Sequence, residues 1–145
     1  MRKFFLLTVL IGTLFISCSK DDDNSLKETS CDFVAEVVSV EGFNAINTSN
    51  YIVTDIQLNG DCLKITVSSS GCDPEPWKIN LYSVNSFYTV YPYQRAVKIE
   101  LINNQDCLAV FQKTVSFDLT SFQLNGQNNL PLNIEGWSEQ IIYKY

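Results

Sequence analysis

From residue 31 onward the chain is a succession of short runs rich in β-branched and aromatic residues, cut by Asn, Gly and Asp, and no stretch sustains a helical period. Such runs fit a pleated, half-buried surface, and the punctuation between them is turn chemistry. The pattern therefore constrains the fold to all-β. Residues 33–40 form the first expected strand. Residues 51–58 and 62–68 flank Asn59-Gly60-Asp61 as a hairpin. In its second arm Leu63, Ile65 and Val67 alternate with Cys62, Lys64 and Thr66, so one face is buried. Ser68-Ser69-Ser70-Gly71 is expected to end that strand. Residues 77–84 make the next, and residues 96–102 and 107–115 a second hairpin around Asn103-Asn104-Gln105-Asp106, with Cys107, Ala109, Phe111, Val115 and Phe117 on one face. A turn at 125–129, a short strand at 130–134 and a closing strand at 140–145 complete the series. About seven or eight strands in one domain is the density of an immunoglobulin-like antiparallel β-sandwich, with a small closed barrel as the runner-up.

The residues before that domain are of a different kind. Arg2 and Lys3 form a basic head, residues 4–16 are almost wholly apolar, and Ser17 is the small residue before a cleavage point. The apolar run is too short for a spanning helix, which needs about 20 residues. Phe15-Ile16-Ser17-Cys18 resembles the lipobox of bacterial lipoproteins, which implies that Cys18 is acylated (a palmitate-type anchor) and begins the mature chain. Residues 19–30 carry several charges and one aliphatic residue, Leu26, the composition of a flexible tether. Cys18-Ser19-Lys20-Asp21-Asp22 resembles the surface-export signal of Bacteroidota lipoproteins, implying display on the outer face of the outer membrane through Lys20, Asp21 and Asp22. The expected organisation is thus a signal peptide at 1–17, an acylated cysteine and tether at 18–30, and a β-sandwich domain at 31–145. Within the domain, GDCLKITVSSSGC, WKINL, QRAVKIELINNQDCLAVFQKTVSFDLT and LNIEGW…IIYKY resemble a set of small uncharacterised flavobacterial lipoproteins, which supports the fold and the location and implies no activity.

Composition narrows the function classes. The chain carries 10 basic and 16 acidic residues. Loss of residues 1–17 removes Arg2 and Lys3, leaving 8 basic against 16 acidic residues, a net charge of −8. A nucleic-acid partner would need a basic footprint, so none is expected. Cys31, Cys62, Cys72 and Cys107 remain after Cys18 is committed, and in an exported chain an even count reads as two disulfides. Their spacing contains no C-x-x-C knuckle, so zinc is not expected. Because Cys62 and Cys107 each follow a tight turn into a strand, the favoured pairing is 62–107 with 31–72.

There is no histidine. That removes Ser-His-Asp and Cys-His nucleophiles and histidine metal sites. Two carboxylates could still serve a glycosidase. Asp55, Asp61, Asp73, Glu75, Asp106 and Glu135 are the candidates, and most stand in turn-like sequence where acids are expected anyway. No cofactor, metal or catalytic residue is assigned. The expectation is a non-catalytic binding or accessory module, held to the membrane by its lipid, with a protein or glycan partner. A structural subunit or inhibitor in an envelope complex and a carboxylate-only hydrolase of envelope polymers are the alternatives.

The feature suited to a contact surface is aromatic. Trp77, Tyr82, Phe87, Tyr88, Tyr91 and Tyr93 cluster in one stretch edged by Pro74, Pro76 and Pro92. Trp77 and Tyr82 are expected in the core. Tyr88, Tyr91, Tyr93 and Arg95, where Pro92 breaks the alternation, are the candidate ligand-binding residues. The lipobox resemblance yields the first test. Fatty-acid labelling should mark the wild-type protein and leave Cys18→Ala unlabelled; equal label on both would refute acylation at Cys18.

Overall fold

The structure, a computed structural model, describes residues 31–86 and 93–145. The expected leader and tether, with Cys18, Lys20, Asp21 and Asp22, and also Tyr88 and Tyr91, lie outside the described residues. Nine strands, one short α-helix and one 3-10 turn occur among those described: β1 (Phe33–Val34), β2 (Glu36–Val38), α1 (Val40–Ala45), β3 (Ile52–Asn59), β4 (Cys62–Gly71), β5 (Lys78–Val84), β6 (Arg95–Ile102), β7 (Ala109–Asp118), the 3-10 turn Thr120–Phe122, β8 (Asn129–Ile134) and β9 (Ile141–Lys144). They form a four-stranded sheet in the order β1-β7-β4-β3 and a five-stranded sheet in the order β2-β5-β6-β8-β9. The two sheets share one core, with Leu63, Ile65, Val67, Val115 and Phe117 from the first and Ile79, Leu81, Val97, Ile99, Leu101, Leu130 and Leu132 from the second. The expected all-β, two-sheet class is what forms, but the sheets are mixed and not wholly antiparallel as expected, since β1 with β7, β2 with β5 and β6 with β8 pair parallel.

The alternation read from β4 holds: Leu63, Ile65 and Val67 are all fully buried. Truncating any one of them to alanine would cost about 2–5 kcal/mol. The hairpin before it turns on Gly60-Asp61, with Asn59 paired to Cys62. Gly60 has φ of 57°, a left-handed conformation that glycine adopts without the Cβ penalty.

Several expectations are corrected. Residues 33–40 are not one strand. The chain passes from β1, parallel to β7, into β2, parallel to β5, so it leaves one sheet for the other within a residue. Ala35 is that residue; its side chain is buried and its N–H donates to Asp118 O at 2.9 Å. Directly after, Ser39 caps α1, its hydroxyl accepting from Gly42 N–H at 3.2 Å, so a helix of one and a half turns stands where none was expected. The strand at 62–68 continues through Ser70 to Gly71, because Ser69 and Ser70 pair with Phe111 and Val110 of β7.

Residues 96–102 and 107–115 do not pair as a hairpin. β6 already has β5 and β8 on its two sides, while β7 matches β4 over ten positions, from Cys62↔Asp118 to Gly71↔Ala109. The 103–108 connection therefore crosses between the sheets.

That topology also overturns the cysteine pairing. The disulfides are Cys31–Cys62 and Cys72–Cys107, with Cα separations of 5.7 and 5.0 Å. Cys62 opens β4 at one pole, and Cys107 adjoins Ala109 at the other. The ten residues of β4 span roughly 30 Å, at about 3.3 Å per residue, so those two sulfurs cannot meet. Each observed bridge instead pins one pole.

At the Cys72 pole a single side chain organises the loops. Gln105 Oε1 accepts from Cys72 N–H at 2.7 Å, Asp73 N–H at 3.1 Å and Trp77 Nε1–H at 3.3 Å. Gly71 lies against it: a Cβ there would stand 2.6 Å from Gln105 Oε1 and 2.9 Å from Trp77 Cζ2. Gly71→Ala should therefore destabilise the domain by about 1–3 kcal/mol, the usual cost of overpacking. Urea unfolding measures it, and a wild-type midpoint would mean that the 103–108 loop yields freely.

Candidate functional site

Of the predicted ligand-binding residues, Arg95 is the clear correction. It is only 4% exposed. Its Nε donates to Phe122 O at 2.8 Å and its Nη1 to Val84 O at 3.1 Å and Ser83 Oγ at 3.4 Å, while the guanidinium lies 5.7 Å from the Phe122 ring centre. A buried cation is tolerated where its donors are satisfied, and here it ties the end of β5 to the 3-10 turn. Arg95 is a fastening of the pole, not a contact for ligand.

Tyr93 is 47% exposed and borders a concavity of about 280 Å³ with Leu124, Asn125 and Gln127. It precedes β6 at the same pole as Cys31–Cys62, since Arg95 reaches Phe122, and Leu119 N–H donates to Asp61 O in the adjoining hairpin. Tyr93 thus stands at the pole where the described residues begin. Trp77 is buried as expected. Tyr82 is not in the core: it lies on the outer face of β5, half-buried.

The six acids proposed from the sequence do not converge. Asp61 accepts from Tyr143 Oη and from Gln123 Nε2, closing one pole. Glu135 pairs with Lys98 at 3.7 Å and accepts from Thr48. Asp73 accepts Glu75 N–H at 3.0 Å as a turn residue, and Asp55 accepts from Gln57 two residues on. Each of these four has a structural duty. Two acids that sequence reasoning passed over do share a hollow. Glu36 and Glu100 flank Tyr82 in a concavity of about 320 Å³, walled on one side by α1 through Gly42, Ala45 and Ile46. Glu100 also accepts from Asn80 Nδ2 at 2.9 Å. Burial first, then the two carboxylates, raises the Tyr82 pKa above its ordinary value. The only sequence signal was two-residue spacing, which puts Asn80 and Tyr82 on one face of β5 and Lys98 and Glu100 on one face of β6.

The other pole carries the three most exposed apolar side chains. Leu108 is 91% exposed, Val110 72% and Ile52 70%. Ile52 pairs with Ser68, and Ser70 with Val110, so the two apolar side chains stand on the outer face of the four-stranded sheet with small hydroxyls between them. Tyr51, Ser69 and Asn50 join them in lining a hollow of about 350 Å³. The serines are small and leave the hollow shallow, while the apolar pair offers contact area. Sequence reading passed over this surface because alternation put Val110 on the face away from Phe111, Val115 and Phe117 without showing that Ile52 and Leu108 gather beside it, which depends on the pairing of β3, β4 and β7.

No known family matches the sequence, and no curated protein does. Among solved structures the chain is similar to a protein of unknown function, DUF1344, from Bacteroides vulgatus, with a TM-score of 0.53 and 13% identity. The likeness covers 78% of this chain and 56% of that one, so the present chain spans little more than half of its neighbour's length. A "toxin related" protein from Parabacteroides distasonis matches with a TM-score of 0.48 at 13% identity, over 77% of this chain and 60% of that one. At such identity the first comparison shows a shared fold alone.

Arg95 and Tyr93, two residues apart, separate fastening from surface. Arg95→Ala leaves buried carbonyls without donors and should cost about 2–4 kcal/mol. Tyr93→Ala should cost much less. Urea midpoints of the two variants measure this, and equal losses would contradict the burial difference.

Proposed function

We propose that this chain is a lipid-anchored outer-membrane protein, displayed on the cell exterior, that acts as a non-catalytic binding or accessory module. The observation that carries the reading is the polarity of the domain. Its described part begins at Cys31, bridged to Cys62 at one end of β4, and its three most exposed apolar residues, Leu108, Val110 and Ile52, stand at the opposite end, while Phe33 and Val34 are less exposed at the Cys31 end. An anchor acting through residues 18–30 would hold the Cys31 pole toward the bilayer and present Leu108, Val110 and Ile52 outward. We read the sandwich as immunoglobulin-like, supported by its two sheets over one core and by a first segment divided between both. The location rests on the lipobox and export-signal resemblances.

A shallow surface with exposed aliphatic side chains favours a protein partner over a stacked sugar, which brings the envelope-complex subunit close behind. The hydrolase reading retains one locus, Glu36 and Glu100 around Tyr82.

Leu108→Ser combined with Val110→Ser tests the outward pole, since both side chains are exposed and the fold should be unchanged. On intact cells, the wild-type protein should remain accessible to added protease. Co-sedimentation of the purified full chain with isolated cell envelopes should fall at least about tenfold in the double variant, a loss of roughly 1.4 kcal/mol or more. Undiminished co-sedimentation at an unchanged unfolding midpoint would exclude this pole as the contact.

A further inference from the structure

β7 is covered on one side by β4 along its whole length and on the other by β1 at Phe117 and Asp118 alone. Just below the uncovered part, Asp32 substitutes for a strand: its carboxylate accepts Ser116 N–H at 2.8 Å and the Ser116 hydroxyl at 2.7 Å. Ser116 N–H and Asp118 C=O, which accepts from Ala35, both point away from β4, whereas Phe111 C=O points toward it and accepts from Ser68 Oγ. Backbone alternation then turns the N–H and C=O groups of Val110, Gln112 and Thr114 outward, and no protein group among the described residues meets them. These residues are solvent-exposed.

Sheet edges of this kind are ordinarily blunted by a bulge, a proline or a charged side chain, one that points inward included. The opposite edge of the same sheet has such a device, a register shift in β3 between Val53 and Asp55. β7 has neither bulge nor proline, and the side chains beside its outward peptide groups are uncharged. Its one charge in this stretch, Lys113, is turned inward and occupied, donating to Glu75 O at 2.8 Å and Trp77 O at 3.0 Å.

We propose that this edge pairs with the same edge of a second copy, antiparallel about a two-fold axis at Gln112. The choice of a second copy rests on self-complementarity. A two-fold there sets Gln112 against Gln112 and Val110 against Thr114 of the partner, with no like charges opposed, although the chain as a whole is strongly acidic. Three facing pairs each exchange two bonds, about six in all. Asp32 stops the pairing at Ser116 on each side. The result is a continuous eight-stranded sheet across two protomers. A short edge falls well below the roughly 20–30 residues per side of a standard interface, so the pair is weak in dilute solution and forms where copies are concentrated. This inference shares Val110 with the apolar pole but uses its backbone groups, which Val110→Ser leaves in place, so the two tests can fail separately.

The full chain carrying Gln112→Cys tests it. Two-fold pairing brings the two Cα atoms to about 5.5 Å, within disulfide range, so mild oxidation at high protein concentration should give a covalent dimer. Val110→Cys alone should not, because its copies would lie roughly 13 Å apart along the strands, while Val110→Cys mixed with Thr114→Cys should. Gln112→Lys and Gln112→Glu, without cysteine, should each sediment as monomers at a concentration where the wild type associates, and their mixture should associate again. Absence of the Gln112→Cys dimer with the native disulfides intact overturns the proposal, and leaves Lys113 as an effective guard of the edge. Equal yield from Val110→Cys, or a covalent adduct to a different protein in place of a copy, overturns it as well.

Discussion

The arrangement depends on one residue's worth of backbone, the passage at Ala35. A β-strand normally contributes to one sheet. Here the extended segment gives two residues to the β7 edge and three to the β5 edge. An alanine suits the crossing because it fills the space between the layers without the bulk that would hold them apart. Its N–H remains bonded to Asp118 O, so the change of sheet leaves no buried donor unmet. The consequence is uneven coverage. Both edges on that side are closed at the Cys31 pole and open toward the Cys72 pole.

The two poles are built by different chemistry. The Cys31 pole is fastened by polar groups that are largely removed from water: Arg95 on three acceptors, and Tyr143, fully buried, donating to Asp61. The Cys72 pole is held by loop contacts nearer the surface, among them Lys113 on Glu75 O and Trp77 O. Gln105 holds its loops by one carbonyl oxygen, the Cys72–Cys107 bridge closes them, and beyond them apolar side chains face solvent. Groups at the first pole cannot move without stranding buried donors or acceptors, whereas side chains at the second can meet a partner at little conformational cost.

What the sequence disclosed follows the range of each signal. The Asn59-Gly60-Asp61 turn is local, and so is the alternation through Leu63, Ile65 and Val67; both were legible. The relation between β6 and β7 was not. Asn103 to Asp106 is turn chemistry in either case, and whether the next strand folds back or crosses depends on which neighbours are already taken, which is tertiary information. The cysteine pairing failed for the same reason, because only the register of β4 on β7 places Cys62 and Cys107 at opposite ends. Arg95 was misread from its type: a charge at the end of an aromatic run signals surface, and nothing local reveals that the carbonyls of Val84 and Phe122 converge on it. The helix left only Ser39 as a trace, too little against a β-rich background.

The Cys31–Cys62 bridge also decides how the domain bears a load. Tension applied through the residues before Cys31 does not first peel away β1, which is held over two positions only. It passes through a covalent bond into β4, the strand flanked by β3 on one side and β7 on the other. Force entering at the end of an internal strand must shear two ladders at once instead of opening one bond at a time. The domain is therefore gripped through an internal strand and not by its edge.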